Sequence, residues 1–337
     1  MKRILFIATG GTIACAPTES GLAPQLSPDA LLDFVPNIRS RCEVMTISPM
    51  QIDSTDMQPK DWLTLANCIE DNYVGYDGFV IAHGTDTMAY TAGALSYLIQ
   101  NISKPIVLTG AQHSISLQET DARLNLAQAF TYALDDQAHG ISIVFDGKAI
   151  AGPRARKTRT KSRNAFQSVD YPAMAQISDG GIIRYIHEEK PTGAPVFYRT
   201  LDPKVAVVKL VPGTDAGMID YLRDRNSALV IESFGMGGLP ATGGDAFLSA
   251  VSRWQHENKP VVITTQVPYE GCDMSLYEVG QRVKAQYGVM EGLNMTLEAV
   301  VTKLMWILGQ TKDMVTIRQL FYAPVAHDLL VMEHQDD

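Results

Sequence analysis

Gly78-Phe79-Val80-Ile81-Ala82-His83-Gly84-Thr85-Asp86-Thr87-Met88 joins a short apolar run to a stretch of helical length through a turn of glycine, hydroxyl and charge. A run apolar on both faces reads as a strand buried in a parallel sheet, and the Met88–Gln100 stretch behind it reads as the crossover helix. Working outward, strand candidates recur at Ile4–Thr9, Val44–Ser48, Pro105–Thr109 and Ile141–Phe145, all short and rich in Val and Ile. Helices fill the gaps. One enters at Pro59-Lys60-Asp61-Trp62 with proline in its first turn, and another spans Asp121–Leu134. Strands alternating with helices are the pattern of βαβ units around a parallel sheet.

At 337 residues the chain is long enough for two domains. After Gly147 the alternation decays into Pro, Gly and charge, and Lys190-Pro191-Thr192-Gly193-Ala194-Pro195 punctuates rather than packs. The expected division is an N-terminal domain over 1–190, a linker over 191–204 and a smaller α/β domain over 205–337. In the last, strands are expected at Val205–Leu210, Ala228–Glu232 and Pro260–Thr265. Helices are expected at Asp215–Arg223, Gly244–Glu257, near Tyr277–Gln286, and at Thr296–Gly309 and Asp313–Phe321.

Hydrophobic residues at 46% and charged residues at 19% exclude bulk disorder. A formal charge of -9 opposes nucleic acid or an anionic membrane as partner, because phosphate recognition needs clustered positive charge. The run Arg154–Arg163 holds six basic residues in ten, yet it lacks interleaved aromatics and reads as a solvated loop. No apolar run approaches the ~20 residues of a spanning helix. Ile4–Ala8 is interrupted by Thr9-Gly10-Gly11-Thr12 before it reaches the ~7–15 apolar positions of an export signal. The four cysteines form no Cys-x-x-Cys pair, which fits reduced thiols in a cytoplasmic protein. Phosphate-binding loop, dinucleotide fingerprint, H-E-x-x-H and G-x-S-x-G are all missing, so no cofactor and no metal are expected.

What remains is hydroxyl chemistry. Thr9-Gly10-Gly11-Thr12 and His83-Gly84-Thr85-Asp86-Thr87 each follow a strand, and ligands in open parallel sheets bind beyond the carboxyl ends of strands. Glycines let backbone N–H groups approach a ligand, Thr12 and Thr85 supply hydroxyls, and Asp86 suits a substrate ammonium. The plainer reading of each segment is a helix cap or turn, and of His83 a packed strand-end histidine. A hydroxyl nucleophile needs a base, and a lysine can serve; spacing leaves Lys157 and Lys161 equally open.

Thr9-Gly10-Gly11-Thr12-Ile13-Ala14 and Ala82-His83-Gly84-Thr85-Asp86-Thr87-Met88 resemble the two signature segments of bacterial asparaginases, the L-asparagine amidohydrolase family. The resemblance continues through Ile52–Met57, Pro105–Gln112 and Lys303–Gln310, and Met88-Ala89-Tyr90-Thr91-Ala92 resembles the cytoplasmic type I branch. It implies an α/β fold in two domains: a larger N-terminal doubly wound sheet, flavodoxin-like and mostly parallel, and a smaller C-terminal α/β domain. It implies a homodimer or homotetramer acting on L-asparagine without a cofactor.

By the same resemblance Thr12 is the nucleophile that forms an acyl-enzyme, and Thr85, Asp86 and Lys157 form a second catalytic cluster. Lys157 is preferred to Lys161 because its spacing to Ala165-Phe166 matches the family. Ser54 and Thr55 match positions holding the substrate α-carboxylate and Asp86 the one holding its α-ammonium. Gly11, Gly84 and Ala111 line the pocket, and Glu278 corresponds to a carboxylate from a neighbouring subunit. The chain departs from the family in the loop Thr18–Pro24, where relatives often carry a tyrosine and this sequence has Leu22 nearby. Gly237-Gly238 likewise lacks an asparagine found in some relatives. Rival expectations are a glutaminase or broader amide hydrolase, a non-catalytic asparagine-binding regulator, and a component of an RNA-linked amidotransferase. The last is expected to carry an added N-terminal module, whereas this chain starts at its first strand.

Overall fold

Buried strand and helix alternate as expected through the first of two units, Met1–Arg199, of the computed structural model, the second unit running from Thr200. The structure describes residues 1–18, 21–178, 181–240, 246–276 and 288–330. In the first unit, β1 (Arg3–Ala8) is followed by a hairpin of β2 (Cys15–Thr18) and β3 (Gly21–Pro24), then by β4 (Glu43–Ile47) and β5 (Gly78–Ala82). Next come β6 (Ile99–Gln100), β7 (Pro105–Thr109) and β8 (Gly140–Phe145). The five strands β4-β1-β5-β7-β8 lie parallel in that order. Every residue of β5 and β7 is buried, which is why both read as unbroken apolar runs rather than alternating ones.

Helices Pro59–Asn72, Met88–Leu98 and Ala122–Ala133 connect them. Pro59 stands in the first turn, where its missing N–H costs nothing, and the Asp61 carboxylate accepts the Gln58 N–H at 2.8 Å. The second helix stops at Leu98, short of the expected Gln100, because Ile99 and Gln100 pair with β14 (Val196–Phe197).

The stretch read as a loss of pattern after Gly147 carries structure. It holds β9 (Lys148–Ala151), β10 (Ala155–Lys157), β11 (Phe166–Ser168), β12 (Ala175–Ser178) and β13 (Gly181–Arg184). β9, β12 and β13 extend the sheet antiparallel beyond β8, while β10 and β11 pair with each other. These strands have three or four residues and partly exposed faces, so neither length nor alternation marks them in the sequence.

The second unit has its own parallel sheet of β15 (Val205–Lys209), β16 (Ala228–Ser233), β17 (Val261–Thr265) and β18 (Met290–Glu291), in chain order. Trp254, on helix Ala246–His256, anchors its core beside Ile231, Phe247 and Ile263 and donates its ring N–H to Ile219 O at 3.1 Å. Helices Gly217–Arg223, Leu297–Gln310 and Met314–Tyr322 match expected ones, and the helix expected near Tyr277–Gln286 lies outside the described residues. No helix among the described residues is long and apolar enough to cross a membrane.

Candidate active site

In the parallel part of the first sheet the strand order reverses between β1 and β5, the point where an open α/β sheet leaves a crevice beyond its carboxyl ends. The two threonine segments leave from these adjacent strands. The Thr9 N–H donates to Ala82 O at 3.0 Å, continuing the β1–β5 pairing into both turns. Gly10 and Gly11 then adopt φ of 100° and 74°, and the Gly11 N–H donates to Ile52 O at 3.0 Å. A methyl group on Gly11 would fall 2.3 Å from the Gly84 Cα, and one on Gly84 would fall 2.5 Å from the Ser54 Oγ. Bare backbone at these positions therefore lets the segments 9–12, 52–55 and 83–87 pass in direct contact.

Thr12 opens a short 3-10 turn, Thr12–Ala14, and is partly exposed, while Ile13 and Ala14 anchor the turn in the core. Thr85 is 4% exposed and sits inside a set of polar contacts. Lys157 reaches it from β10: its Nζ donates to Thr85 Oγ1 and to Asp86 Oδ1, both at 2.7 Å. The Lys157 side chain is 16% exposed and the Asp86 side chain 56%, so the ion pair spans the boundary between protein and solvent. Lys161 is exposed on the loop that follows β10, and geometry thus separates the two lysines that spacing left open. The basic run is not one surface either, since Arg154 is fully buried.

Ser54 is buried; its Oγ accepts the Asp86 N–H at 3.3 Å and its carbonyl accepts Thr87 Oγ1 at 2.7 Å. Thr55 stands apart, exposed, with its N–H and hydroxyl both given to Asp53 Oδ1 at 2.9 Å. Ala111 is fully buried in the core cluster that contains Ile13 and Ile115. Glu278 lies outside the described residues, as do the side chains of the hairpin around Leu22. Among the described residues no cluster of three or more His, Cys, Asp or Glu forms a metal site.

Two contributors went unnoticed in the sequence. Gln112 accepts the Thr85 hydroxyl at 3.2 Å, and Asp121 accepts the backbone N–H groups of Gln112 and His113 at 2.9 and 3.0 Å. Asp121 was legible only as a helix entry, and Gln112 only as the end of the stretch Pro105–Gln112, with no role attached to it.

His83 is fully buried behind the turn. Its Nδ1 lies 2.7 Å from Gly84 O, which can only accept, so Nδ1 carries the proton. Nε2 then accepts from Thr91 Oγ1 at 2.9 Å, and Thr91 in turn accepts the Trp62 ring N–H at 3.0 Å. Burial pushes the ring's pKa from the ordinary 6.5 down to about 4, against the opposing effect of the Gly84 bond. Above pH 6.5 the ring is neutral folded or unfolded. As pH falls toward about 4, the unfolded chain takes up a proton that the folded one refuses, and stability drops by up to roughly 3 kcal/mol. Denaturant unfolding at neutral pH and near pH 4 is expected to show a larger acid loss in the parent than in His83→Gln; equal losses would contradict this.

The chain matches two family models, "Asparaginase, N-terminal" over residues 3–190 and "Glutaminase/Asparaginase C-terminal domain" over residues 204–321. It is 38% identical to the L-asparaginase of Thermococcus kodakarensis, over 97% of this chain and 99% of that protein. The solved structure of the thermostable L-asparaginase from that organism superposes with a TM-score of 0.92 at 38% identity, covering 98% of this chain and all of that one. The chain is also 34% identical to a component of the Glutamyl-tRNA(Gln) amidotransferase of Pyrococcus furiosus, over 98% of this chain and 77% of that protein.

Proposed function

Because the chain belongs to the asparaginase family and is an amidohydrolase, we propose that it hydrolyses L-asparagine to L-aspartate and ammonia through Thr12 as nucleophile. The observation that carries this reading is the 2.7 Å bond from Lys157 to Thr85, on a turn in backbone contact with the one that presents Thr12. Thr12 Oγ attacks the side-chain amide carbon, and backbone N–H groups near Gly11 and Thr85 hold the oxygen that becomes negative. The Lys157 ammonium, held by Thr85, gives a proton to the leaving nitrogen, which departs as ammonia, and the Thr12 proton replaces it on Lys157. Water then attacks the aspartyl ester, releasing L-aspartate and restoring the Thr12 hydroxyl.

Asp86 holds the substrate ammonium, and Ser54 and Thr55 its carboxylate. The Asp86 carboxylate, half in solvent, is free to trade part of its bond to Lys157 for a second cation, which supports that assignment. Gly11, Gly84 and Ala111 complete the wall, and Glu278 is assigned to the neighbouring subunit of a homodimer or homotetramer. We place the protein in the cytoplasmic type I branch on the strength of Met88–Ala92. A domain boundary at 190, a linker over 191–204 and a second domain from 205 belong to the same proposal.

A second reading draws on the similarity to the amidotransferase component: ammonia produced here would be passed to a partner enzyme rather than released. Ammonia release by the purified protein, with L-asparagine and L-glutamine at low and high millimolar concentration, decides among asparaginase, glutaminase and sensor. Turnover with asparagine preferred is the expected result. One methylene is worth only ~1–3 kcal/mol in discrimination, so residual glutamine turnover is compatible with it. Glutamine preferred would make the chain a glutaminase, and a folded protein that binds asparagine without releasing ammonia would make it a sensor.

A further inference from the structure

We propose that Gln112 is a positioning residue that aims the Thr85 hydroxyl and ties it to the loop following Lys157; this rests on the reading of Thr85 and Lys157 as the proton-handling pair. The side-chain amide of Gln112 bridges two elements. Its Nε2 donates to Arg159 O and to Ser162 O, each at 3.3 Å, and its Oε1 accepts the Thr85 hydroxyl at 3.2 Å. The amide has only one workable orientation. Two carbonyl oxygens face one end and neither can donate, so the NH₂ end must point at them and the oxygen at Thr85.

That orientation propagates to Thr85. A hydroxyl has one proton, and Oε1 of Gln112 takes it as an acceptor, which leaves the lone pairs of Thr85 Oγ1 for the Lys157 Nζ–H at 2.7 Å. Thr85 is thereby held from two sides at a fixed rotation. Gln112 is itself held, because the buried Asp121 accepts its backbone N–H at 2.9 Å and Asn125 Nδ2 ties Asp121 to Gly110 O, with bonds of 3.3 and 3.0 Å. The same loop touches the Thr12 turn: Ser114 Oγ donates to Cys15 O, and the Ile115 N–H donates to Ile13 O at 3.3 Å. The strand end of β7 therefore sets the two hydroxyl segments against each other, and Gln112 is its contact with the Thr85 oxygen.

The test compares Gln112→Leu, which loses acceptor and donors, with the isosteric Gln112→Glu, which keeps an acceptor for Thr85. The expected result for Q112L is a kcat for L-asparagine lowered at least about 30-fold with KM within about threefold. Melting is expected within about 5 °C of the parent. Q112E is expected to recover at least about tenfold of the lost kcat. A Q112L kcat within about twofold of the parent, or a Q112E no better than Q112L, overturns the proposal. Should Q112L fail to fold, Gln112→Met, apolar and flexible, takes its place in the same comparison. A parent that releases no ammonia sinks the reading of function itself, whereas an active parent with unaltered variants sinks only the role of Gln112.

Discussion

Replacing Thr12 with Ala is expected to lower ammonia release from L-asparagine by at least about 10⁴-fold while leaving asparagine binding and the fold in place. The expectation separates hydroxyl from backbone. Ile13 and Ala14 fix the turn from inside the core, and Gly11 fixes its entry against Ile52 and Gly84, so the alanine variant keeps the same course. Only the oxygen is lost. Binding is read by thermal stabilisation at saturating asparagine, which depends on affinity and not on turnover. Loss of turnover with stabilisation retained is the expected pair. Activity within about tenfold of the parent would remove Thr12 from the role of nucleophile.

Lys157→Met carries the second largest expected effect, a fall in kcat of about 10³-fold. The side chain makes two charge-assisted bonds, to Thr85 and Asp86, and methionine replaces neither while keeping comparable bulk. Stability is expected to change by less than about 1 kcal/mol, because the Asp86 carboxylate is more than half exposed and water takes over its lost partner. Lys161→Met is the control. Lys161 is exposed and its removal is expected to leave kcat within about twofold, measured in the same assay. The reverse pattern, with Lys161 needed and Lys157 dispensable, would contradict the assignment.

The two lysines also mark where sequence reading stopped. Fully buried strands such as β5 and β7 announce themselves as apolar runs closed by a glycine-bearing turn, and the parallel core was legible for that reason. Crossing the chain to find which lysine meets Thr85 depends on β10 and β11, three-residue strands whose composition is that of a loop. The resemblance to a family chose Lys157 where the residues alone could not, and in the structure Lys157 lies 2.7 Å from Asp86. Gln112 was illegible for a different reason. Its role comes from which carbonyls surround its amide, and those belong to Arg159 and Ser162, far along the chain. Ser54 bonds to Asp86 and Thr87 and Thr55 to Asp53 two residues away, pairings that neither the spacing nor the resemblance specified.

The most direct measurement is peptide mapping by mass spectrometry of enzyme acid-quenched during turnover of L-asparagine. The expected result is an aspartyl ester on the peptide that contains Thr12, present in the parent and absent from Thr12→Ala. An ester on the peptide containing Thr85, or none while ammonia accumulates at the full rate, would contradict the acyl-enzyme at Thr12.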